Sequence, residues 1–244
     1  MRAMKKVLAP VLLGSLFLAS CNPAPTPEPE PDKFPAVTSV SGTVHLGTQA
    51  DGTPTNGHVD ADAAGKSMHV WVSTSAGNGT GVDVTVGSDL KYTVTLPTPL
   101  DSEVSPFNLT NYDACTMSAK TVTAGMKGTS ADFSLNAHPE TNTMHYLEPV
   151  RLELNATGGT ATVKSVTYVN MDGVLQLKGV CKSPDGTQTT NVDIDLKLKK
   201  GWNIYTTITT AVRSSDGKLV TDFTSRNDAG AVDLYASMQY HLAD

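Results

Sequence analysis

Two histidines and a glutamate are the residues whose types come closest to a metal site. His138 and His145 flank Glu140 in the stretch HPETNTMH, and imidazole and carboxylate groups are common zinc ligands. Their spacing is not that of two ligands one helical turn apart, and Pro139 indicates a loop. No further cysteine or histidine pair lies nearby in the sequence. We therefore expect no metal at these residues.

Three aspartates are a second candidate for cation binding. Asp51, Asp60 and Asp62 lie in a polar stretch of the chain, and carboxylate oxygens are ligands that calcium prefers. The stretch lacks the loop pattern of an EF-hand, and acidic loops are ordinarily just solvated. We expect neither a bound metal nor another cofactor.

Two serines stand three residues before a lysine, as in the S-x-x-K motif of penicillin-recognising enzymes. The motif works because one helical turn brings the lysine to the serine. The stretches 88–91 and 215–218 both lie in predicted turns between strands, where this geometry fails. The sequence contains no G-x-S-x-G elbow, phosphate loop or dinucleotide fingerprint. We predict that the protein is not an enzyme; a hydrolase whose site is assembled from distant residues remains as an alternative.

Aromatic side chains give a candidate ligand-binding surface. Trp71, Trp202 and Tyr205 could stack against a sugar or an apolar ligand, as aromatic residues do in binding sites. In an all-β protein the same residues also commonly pack the core or form cross-strand pairs. Trp71 and Tyr205 fall on the parity opposite the aliphatic face of their strands, which favours these two as exposed residues.

The N-terminal segment has the pattern of an export signal. Basic residues precede about a dozen mostly apolar residues from Val7 to Leu18, a run too short for a helix to cross a hydrocarbon core of roughly 30 Å. The residues Leu18-Ala19-Ser20-Cys21 resemble the lipobox of bacterial lipoproteins. The resemblance implies that residues 1–20 are a signal peptide and that Cys21 is acylated, for example with palmitate.

A proline-rich, acidic segment follows this cysteine. Such a run has no backbone donors at its prolines and no apolar face to bury, and it prefers extended polyproline geometry of about 3.1 Å per residue. We interpret residues 21–37 as the lipidated cysteine and a linker that holds the folded part off the membrane. Two or three acyl chains bind a bilayer far more firmly than one. The predicted location is the cell envelope, on the extracytoplasmic side of an outer membrane or at the cell surface.

The charge of the chain limits its partners. The formal net charge is −6, and removal of the signal peptide takes away Arg2, Lys5 and Lys6 but no acidic residue, which leaves about −9. A mildly acidic chain without a basic cluster argues against binding to nucleic acid. The expected partners are the membrane, through the lipid anchor, and a protein or a glycan.

Two cysteines lie beyond the anchor, Cys115 and Cys181. An extracytoplasmic compartment permits them to pair. We predict a disulfide between them, with two buried thiols as the alternative. Cα atoms more than about 7 Å apart would exclude the bond.

Four stretches between residues 38 and 100 alternate apolar and polar residues and predict strands: SVSGTVHLG, MHVWVST, GVDVTVG and LKYTVTLP. The motifs SGTV, HVWV and YTVTLP resemble those of the carboxypeptidase-regulatory or transthyretin-like β-sandwich. The resemblance implies a structural domain without catalysis over residues 38–100. The family usually has a glycine before the closing tyrosine, where this chain has Lys91.

Residues 101–244 are also predicted to be strands, organised as hairpins. Asp172-Gly173 and Asp216-Gly217 lie between alternating runs, and Asp-Gly pairs favour the type I′ turn of a hairpin. Sequential hairpins form an antiparallel meander. The predicted fold class is all-β with two antiparallel β domains, namely a small sandwich over 38–100 and a hairpin meander over 101–244. The meander is expected to form a sandwich or a partly closed barrel.

The preferred functional hypothesis is a membrane-anchored cell-envelope lipoprotein that acts as a non-enzymatic structural or interaction module. The alternative is a lipoprotein that binds a small ligand or a glycan with its C-terminal β domain. This alternative requires a cavity of roughly several hundred Å³ lined by aromatic residues.

Overall fold

The computed structural model describes residues 33–53, 59–74, 77–138 and 143–237. The predicted signal peptide, Cys21 and residues 22–32 of the proline-rich linker lie outside these residues, and so does Glu140. No helix in the described part of the chain is long and apolar enough to cross a membrane.

Strands make up nearly all of the regular secondary structure in the described residues, which confirms the all-β prediction. Short 3-10 helices occur at Asp60–Ala63, Asp101–Glu103 and Thr110–Tyr112. The strands are β1 (Ser39–Gln49), β2 (Ser67–Thr74), β3 (Gly77–Thr85), β4 (Lys91–Thr95), β5 (Ser105–Pro106), β6 (Thr116–Val122), β7 (Lys127–His138), β8 (Thr143–Glu148), β9 (Val150–Asn155), β10 (Gly158–Val169), β11 (Gly173–Lys182), β12 (Gln188–Leu198), β13 (Gly201–Arg213), β14 (Leu219–Asn227) and β15 (Leu234–Ala236).

The strands form a large mixed sheet that is not closed into a barrel. Its order is β4-β1-β15-β8-β7-β10-β13-β14-β12-β11-β6, with β2 and β5 also paired to β7, β3 to β2, and β9 to β10. Two pairs, β1 with β15 and β12 with β14, are parallel. Strands from both sides of residue 100 are neighbours in this order, and the division into domains 38–100 and 101–244 stays a prediction.

Alternation along the strands builds two hydrophobic clusters. One packs strands of the β1–β2–β7–β15 region around Val44, Phe133 and Leu234. The other packs β11 and β12, where the predicted alternation is confirmed: Leu196 is buried and Lys197 is exposed. Full burial of one such aliphatic or aromatic side chain contributes roughly 1.5–3 kcal/mol. Packing of these faces therefore stabilises the strands more than local propensity does.

Two Asp-Gly turns connect antiparallel neighbours. Asp216-Gly217 joins β13 to β14, as predicted, and Asp185-Gly186 joins β11 to β12. Both glycines have positive φ, +83° at Gly217 and +70° at Gly186, which glycine adopts without steric cost. Hydrogen bonds within the turns, chiefly from Lys218 and from Ser183, lower the pKa of the two aspartates to about 2.

The predicted hairpin at Asp172-Gly173 is wrong. The strands that flank it are not neighbours, because β10 pairs with β13 and β11 pairs with β12. Asp172 instead accepts a hydrogen bond from the backbone N–H of Lys200 at 2.7 Å. Its carboxylate also lies 3.4 Å from the Lys199 ammonium. The side chain thus fixes the turn between β12 and β13, while the chain crosses to another position in the sheet.

Strand β1 changes partner along its length, and Gly42 allows this. Residues 39–43 pair with β4, whereas the strand from Val44 onward pairs with β15. A Cβ atom at Gly42 would lie 2.0 Å from the carbonyl oxygen of Val232. The Tyr92 hydroxyl donates a hydrogen bond to the same oxygen at 2.6 Å, and burial raises the pKa of this tyrosine. Only a residue without a side chain fits this crossing.

Cys115 and Cys181 form a disulfide, which confirms the predicted pair. The sulfur atoms are 1.99 Å apart and the Cα atoms 4.3 Å apart. Cys181 lies on β11, and Cys115 immediately precedes β6. Among the described strands, β6 pairs with β11 alone and lies at one end of the sheet. The bond therefore fastens an edge strand to its neighbour.

Candidate functional site

Strands β2, β7 and β8 turn apolar residues to the core on one side and polar and aromatic residues to the other. Val70, Phe133 and Leu147 are among the buried residues. Because successive side chains of a strand point to opposite faces, the residues between them share the other side. We call this side the polar face. It comprises His69, Trp71, Asp132, Ser134, Asn136, Tyr146 and Glu148.

Cross-strand pairing arranges the polar face in rows. Residues directly opposite each other on neighbouring strands have adjacent side chains. One row brings together an imidazole, a hydroxyl and a phenol, and the next row brings together an indole and two carboxylates. In the order β2, β7, β8 the first row is His69, Ser134, Tyr146. The second is Trp71 and Asp132, and continuation of the β7–β8 register adds Glu148, which lines a pocket with Asp132.

Aromatic rings cover the centre of the polar face. The Trp71 ring stacks on the His69 ring, with centroids 5.5 Å apart and planes at 19°. It also meets the Tyr146 ring edge to face at 5.9 Å and 78°. Since β7 lies between β2 and β8, the Trp71 and Tyr146 rings meet above β7. Ser134 of β7 lies opposite both His69 and Tyr146 and is only 1 % exposed.

Two buried polar atoms of β7 lack partners. Neither Ser134 Oγ nor Asn136 Oδ1 has a hydrogen-bond partner among the described residues. Both belong to the polar face, two residues apart on one strand. A buried polar group without a partner costs roughly 1–3 kcal/mol. Such groups are rare in native proteins and call for a specific explanation, such as a water, an ion or a functional role.

His69, Asp83 and Ser134 are of the types that form a catalytic triad, but their geometry differs from one. His69 Nδ1 lies 2.9 Å from Asp83 Oδ1 on β3. The imidazole lies over Gly81, since a Cβ there would be 2.7 Å from His69 Nε2. Gly81 is on β3 and Ser134 is on β7, on opposite sides of β2. The imidazole is therefore displaced away from the serine hydroxyl, and Asp83 holds it there.

A small pocket opens beside the two carboxylates of the polar face. Its volume is about 240 Å³, and Asp132, Tyr146, Glu148 and Pro149 are among its lining residues. Ser237 donates a hydrogen bond to Glu148 Oε1 at 2.7 Å. The pocket thus has two carboxylate residues and an aromatic residue in its lining.

A second aromatic pair continues the polar face across β15 and β1. Tyr235 lies opposite Glu148 of β8 and opposite His45 of β1. The two rings stack with centroids 4.7 Å apart and planes at 15°. Burial, and then the negative charge of Asp233, raise the pKa of Tyr235. His45 Nδ1 lies 3.7 Å from a carboxylate oxygen of Asp60.

The structure does not bring the three predicted ligand-binding residues together. Trp71 lies on the polar face and is 3 % exposed. Trp202 is buried in the core, where its indole N–H donates to the carbonyl oxygen of Pro97 at 2.8 Å. Tyr205 points to the other side of β13 and packs on the cluster around β11 and β12. Its hydroxyl lies 3.4 Å from that of Thr167. Ligand binding by these residues stays a prediction.

The aspartates that suggested calcium make local hydrogen bonds. Asp51 accepts one from the N–H of Thr53 at 3.0 Å, and Asp60 accepts one from the N–H of Gly47 at 2.8 Å. Among the described residues, no group of three or more His, Cys, Asp or Glu could hold a metal ion. Of the residues that suggested zinc, Glu140 lies outside the described ranges.

Sequence reasoning missed the polar residues of β7 and β8. The stretch ADFSLN alternates Asp132, Ser134 and Asn136 with Phe133 and Leu135. This period-two pattern predicts a strand with one polar face, and it was the available signal. Comparison of the chain with protein-family models, curated proteins and solved structures finds no match.

Proposed function

We propose that the protein is a cell-envelope lipoprotein, acylated at Cys21 and facing the extracytoplasmic side of a membrane. The segment around Leu18-Ala19-Ser20-Cys21 supports the anchor, and the proline-rich linker supports a folded part held away from the bilayer. The folded part acts as an interaction module and not as a catalyst.

The disulfide is the observation that carries this proposal. Cys115 and Cys181 are bonded to each other, so each is occupied. Cys21 is the third cysteine of the chain, and neither Cys115 nor Cys181 is available to form a disulfide with it. Disulfides persist in oxidising, extracytoplasmic compartments. An export signal and a disulfide both fit an extracytoplasmic location. A separate cysteine directly after the apolar run fits a single point of lipid attachment.

A second candidate function is the binding of a small ligand or a glycan by the folded part. The polar face favours it, because Tyr146 lines a pocket there together with Asp132 and Glu148, and Trp71 contacts the Tyr146 ring. Ligand sites combine apolar and aromatic walls with a few placed polar groups. The site lies on β2, β7 and β8, and so it includes residues from before and after residue 100.

Acylation of Cys21 is tested by expressing the full chain in bacteria supplied with an alkyne-tagged fatty acid. The wild-type protein is expected to carry the label and to partition with membranes. Cys21→Ser is expected to lose both properties. A variant with Cys115→Ser and Cys181→Ser is the matched control and is expected to keep the label. Wild-type protein without label, or label that persists in Cys21→Ser, would refute the anchor.

A further inference from the structure

Building on the second candidate function, we infer that the polar face is a binding site for a neutral saccharide. Hydroxyl groups of the saccharide bond to Asp132 and Glu148 and to the buried polar atoms of Ser134 and Asn136. The apolar face of the sugar ring packs against Tyr146.

The two unpartnered atoms are the starting point. Ser134 Oγ and Asn136 Oδ1 are buried without a hydrogen-bond partner in the described part of the chain. Both lie on the polar face of β7, and the core side of the same strand is filled by Phe133 and Leu135. A group that satisfies the two atoms must therefore approach from the polar face. A bound ligand with hydroxyl groups would supply their missing hydrogen bonds.

The chemistry of the neighbouring groups fits a sugar. A saccharide hydroxyl both donates and accepts hydrogen bonds. Asp132 and Glu148 accept only, whereas a serine hydroxyl and an asparagine amide can do both. These four residues lie on two adjacent strands. The pocket beside the carboxylates, about 240 Å³, is smaller than the roughly 300–1,000 Å³ of drug-sized sites, which suits one sugar ring.

Aromatic rings supply the apolar contact. Tyr146 is 40 % exposed and lines the same pocket as the two carboxylates. Trp71 supports it from the side through their edge-to-face contact. Tyr146 lies directly opposite Ser134 on the neighbouring strand, so we expect a turn of this exposed side chain to open the way from the pocket to the serine hydroxyl. After this turn, the Tyr146 ring packs against the apolar face of the sugar ring.

The charges of the site select a neutral ligand. Asp83, Asp132 and Glu148 place carboxylates around the polar face, and the whole chain has a net charge of −6. An acidic sugar, such as a sialylated or sulfated one, would bring like charges together. Neutral hexose or N-acetylhexosamine oligomers avoid this repulsion.

The test is binding of the purified full chain, in detergent, to an array of oligosaccharides. The array carries neutral glucose, galactose, mannose and N-acetylglucosamine oligomers beside sialylated and sulfated ones. We expect binding to neutral oligomers, weakened at least tenfold in Ser134→Ala and in Asp132→Asn. Ser225→Ala is the matched control, because Ser225 is also buried but is bonded to Thr207 far from the polar face. It is expected to bind like the wild type.

The outcomes separate this inference from the proposals on which it rests. Binding to a neutral oligomer that both polar-face variants leave unchanged would overturn the site but keep the second candidate function. No binding to any neutral oligomer, or binding to acidic ones alone, would overturn the saccharide inference. Neither result alters the acylation experiment, which depends on Cys21 alone. Thermal melts of each variant exclude loss of binding through unfolding.

Discussion

Ser134 and Tyr146 lie directly opposite each other on β7 and β8. Tyr146 is exposed, whereas Ser134 is buried and its hydroxyl has no hydrogen-bond partner in the described part of the chain. If this face of the sheet only contacted solvent, the hydroxyl would be hydrated. If it only packed against other side chains, an apolar residue would be expected at this position. The pair therefore links fold stability to the proposed binding site at one position, and the two effects can be measured separately.

Ser134→Ala is expected to stabilise the protein in the absence of ligand. The substitution removes a buried hydroxyl that lacks a partner, and an unsatisfied group of this kind costs roughly 1–3 kcal/mol. Urea denaturation measures the change as a higher midpoint. Ser225→Ala is the control with the opposite sign, because it leaves the hydroxyl of Thr207 unpaired. A lower midpoint for Ser134→Ala would mean that the serine has a structural partner.

Gly42→Ala is expected to destabilise the fold. The added Cβ would lie 2.0 Å from the carbonyl oxygen of Val232, so β1 and the segment before β15 must separate. Overpacking of this kind costs about 1–3 kcal/mol, and occasionally more. The free energy of unfolding from urea titration is the measurement. Ser41→Ala, at the exposed neighbour, is expected to stay within roughly 0.5 kcal/mol of the wild type, and equal stability of both variants would contradict the close approach.

Removal of the disulfide is expected to loosen β6 first. Loss of a native disulfide commonly costs about 2–5 kcal/mol, and this bond fastens an edge strand to β11. In the variant with Cys115→Ala and Cys181→Ala, hydrogen exchange of residues 116–122 is expected to rise more than that of β7 or β13. Mass spectrometry of peptides after exchange measures this difference. Uniform acceleration over all strands would show that the bond stabilises the whole sheet and not its edge.

Acid is expected to weaken the two Asp-Gly turns of the C-terminal half. Asp185 and Asp216 have pKa values of about 2 in the folded protein, below the ordinary 3.8. A depressed folded value favours the folded state above the ordinary pKa, and this contribution is lost as the pH falls from about 4 through 2. Both side chains are exposed, so solvent screening keeps the effect small.

The measurement for these turns is the urea midpoint at several pH values between 4 and 2. A variant with Asp185→Asn and Asp216→Asn is expected to show a shallower decline over this window than the wild type. Identical slopes would mean that the turn hydrogen bonds do not differ between the folded and unfolded states.

The sequence predicts features that depend on local alternation of apolar and polar residues. It does not predict features that depend on pairing between strands far apart in the sequence. In β12 the pattern around Leu196 and Lys197 is confirmed, because one buried face fixes the parity of a strand. Asp172-Gly173 carries a hairpin signal, yet Asp172 bonds to Lys200, a contact that no local window contains. Strand order follows from such long-range pairing. Alternation likewise predicts that Trp71 lies on the side opposite the aliphatic residues. Its burial and its contact with the Tyr146 ring depend on strand pairing and are not predictable from alternation.

The site was only partly predictable. Parity places Trp71 on the side of β2 opposite the aliphatic residues, as the structure has it, while its ligand binding stays a prediction. Trp202 and Tyr205 share β13 but point to opposite sides of it. Ser134 is distinguished by its burial between His69 and Tyr146, which lie opposite it on the two neighbouring strands. Burial of a serine depends on which strands flank it, and the sequence around residue 134 holds no information about that.

Tryptophan fluorescence tests the central claim, that the polar face contacts a ligand, most directly. The chain has two tryptophans: Trp71 on the polar face and Trp202 in the core. Titration with a neutral oligosaccharide from the array is expected to change the emission of the wild type and of Trp202→Phe. The change is expected to disappear in Trp71→Phe. A change that persists in Trp71→Phe, or an emission that no neutral oligosaccharide alters, would contradict the assignment of the polar face as the binding site.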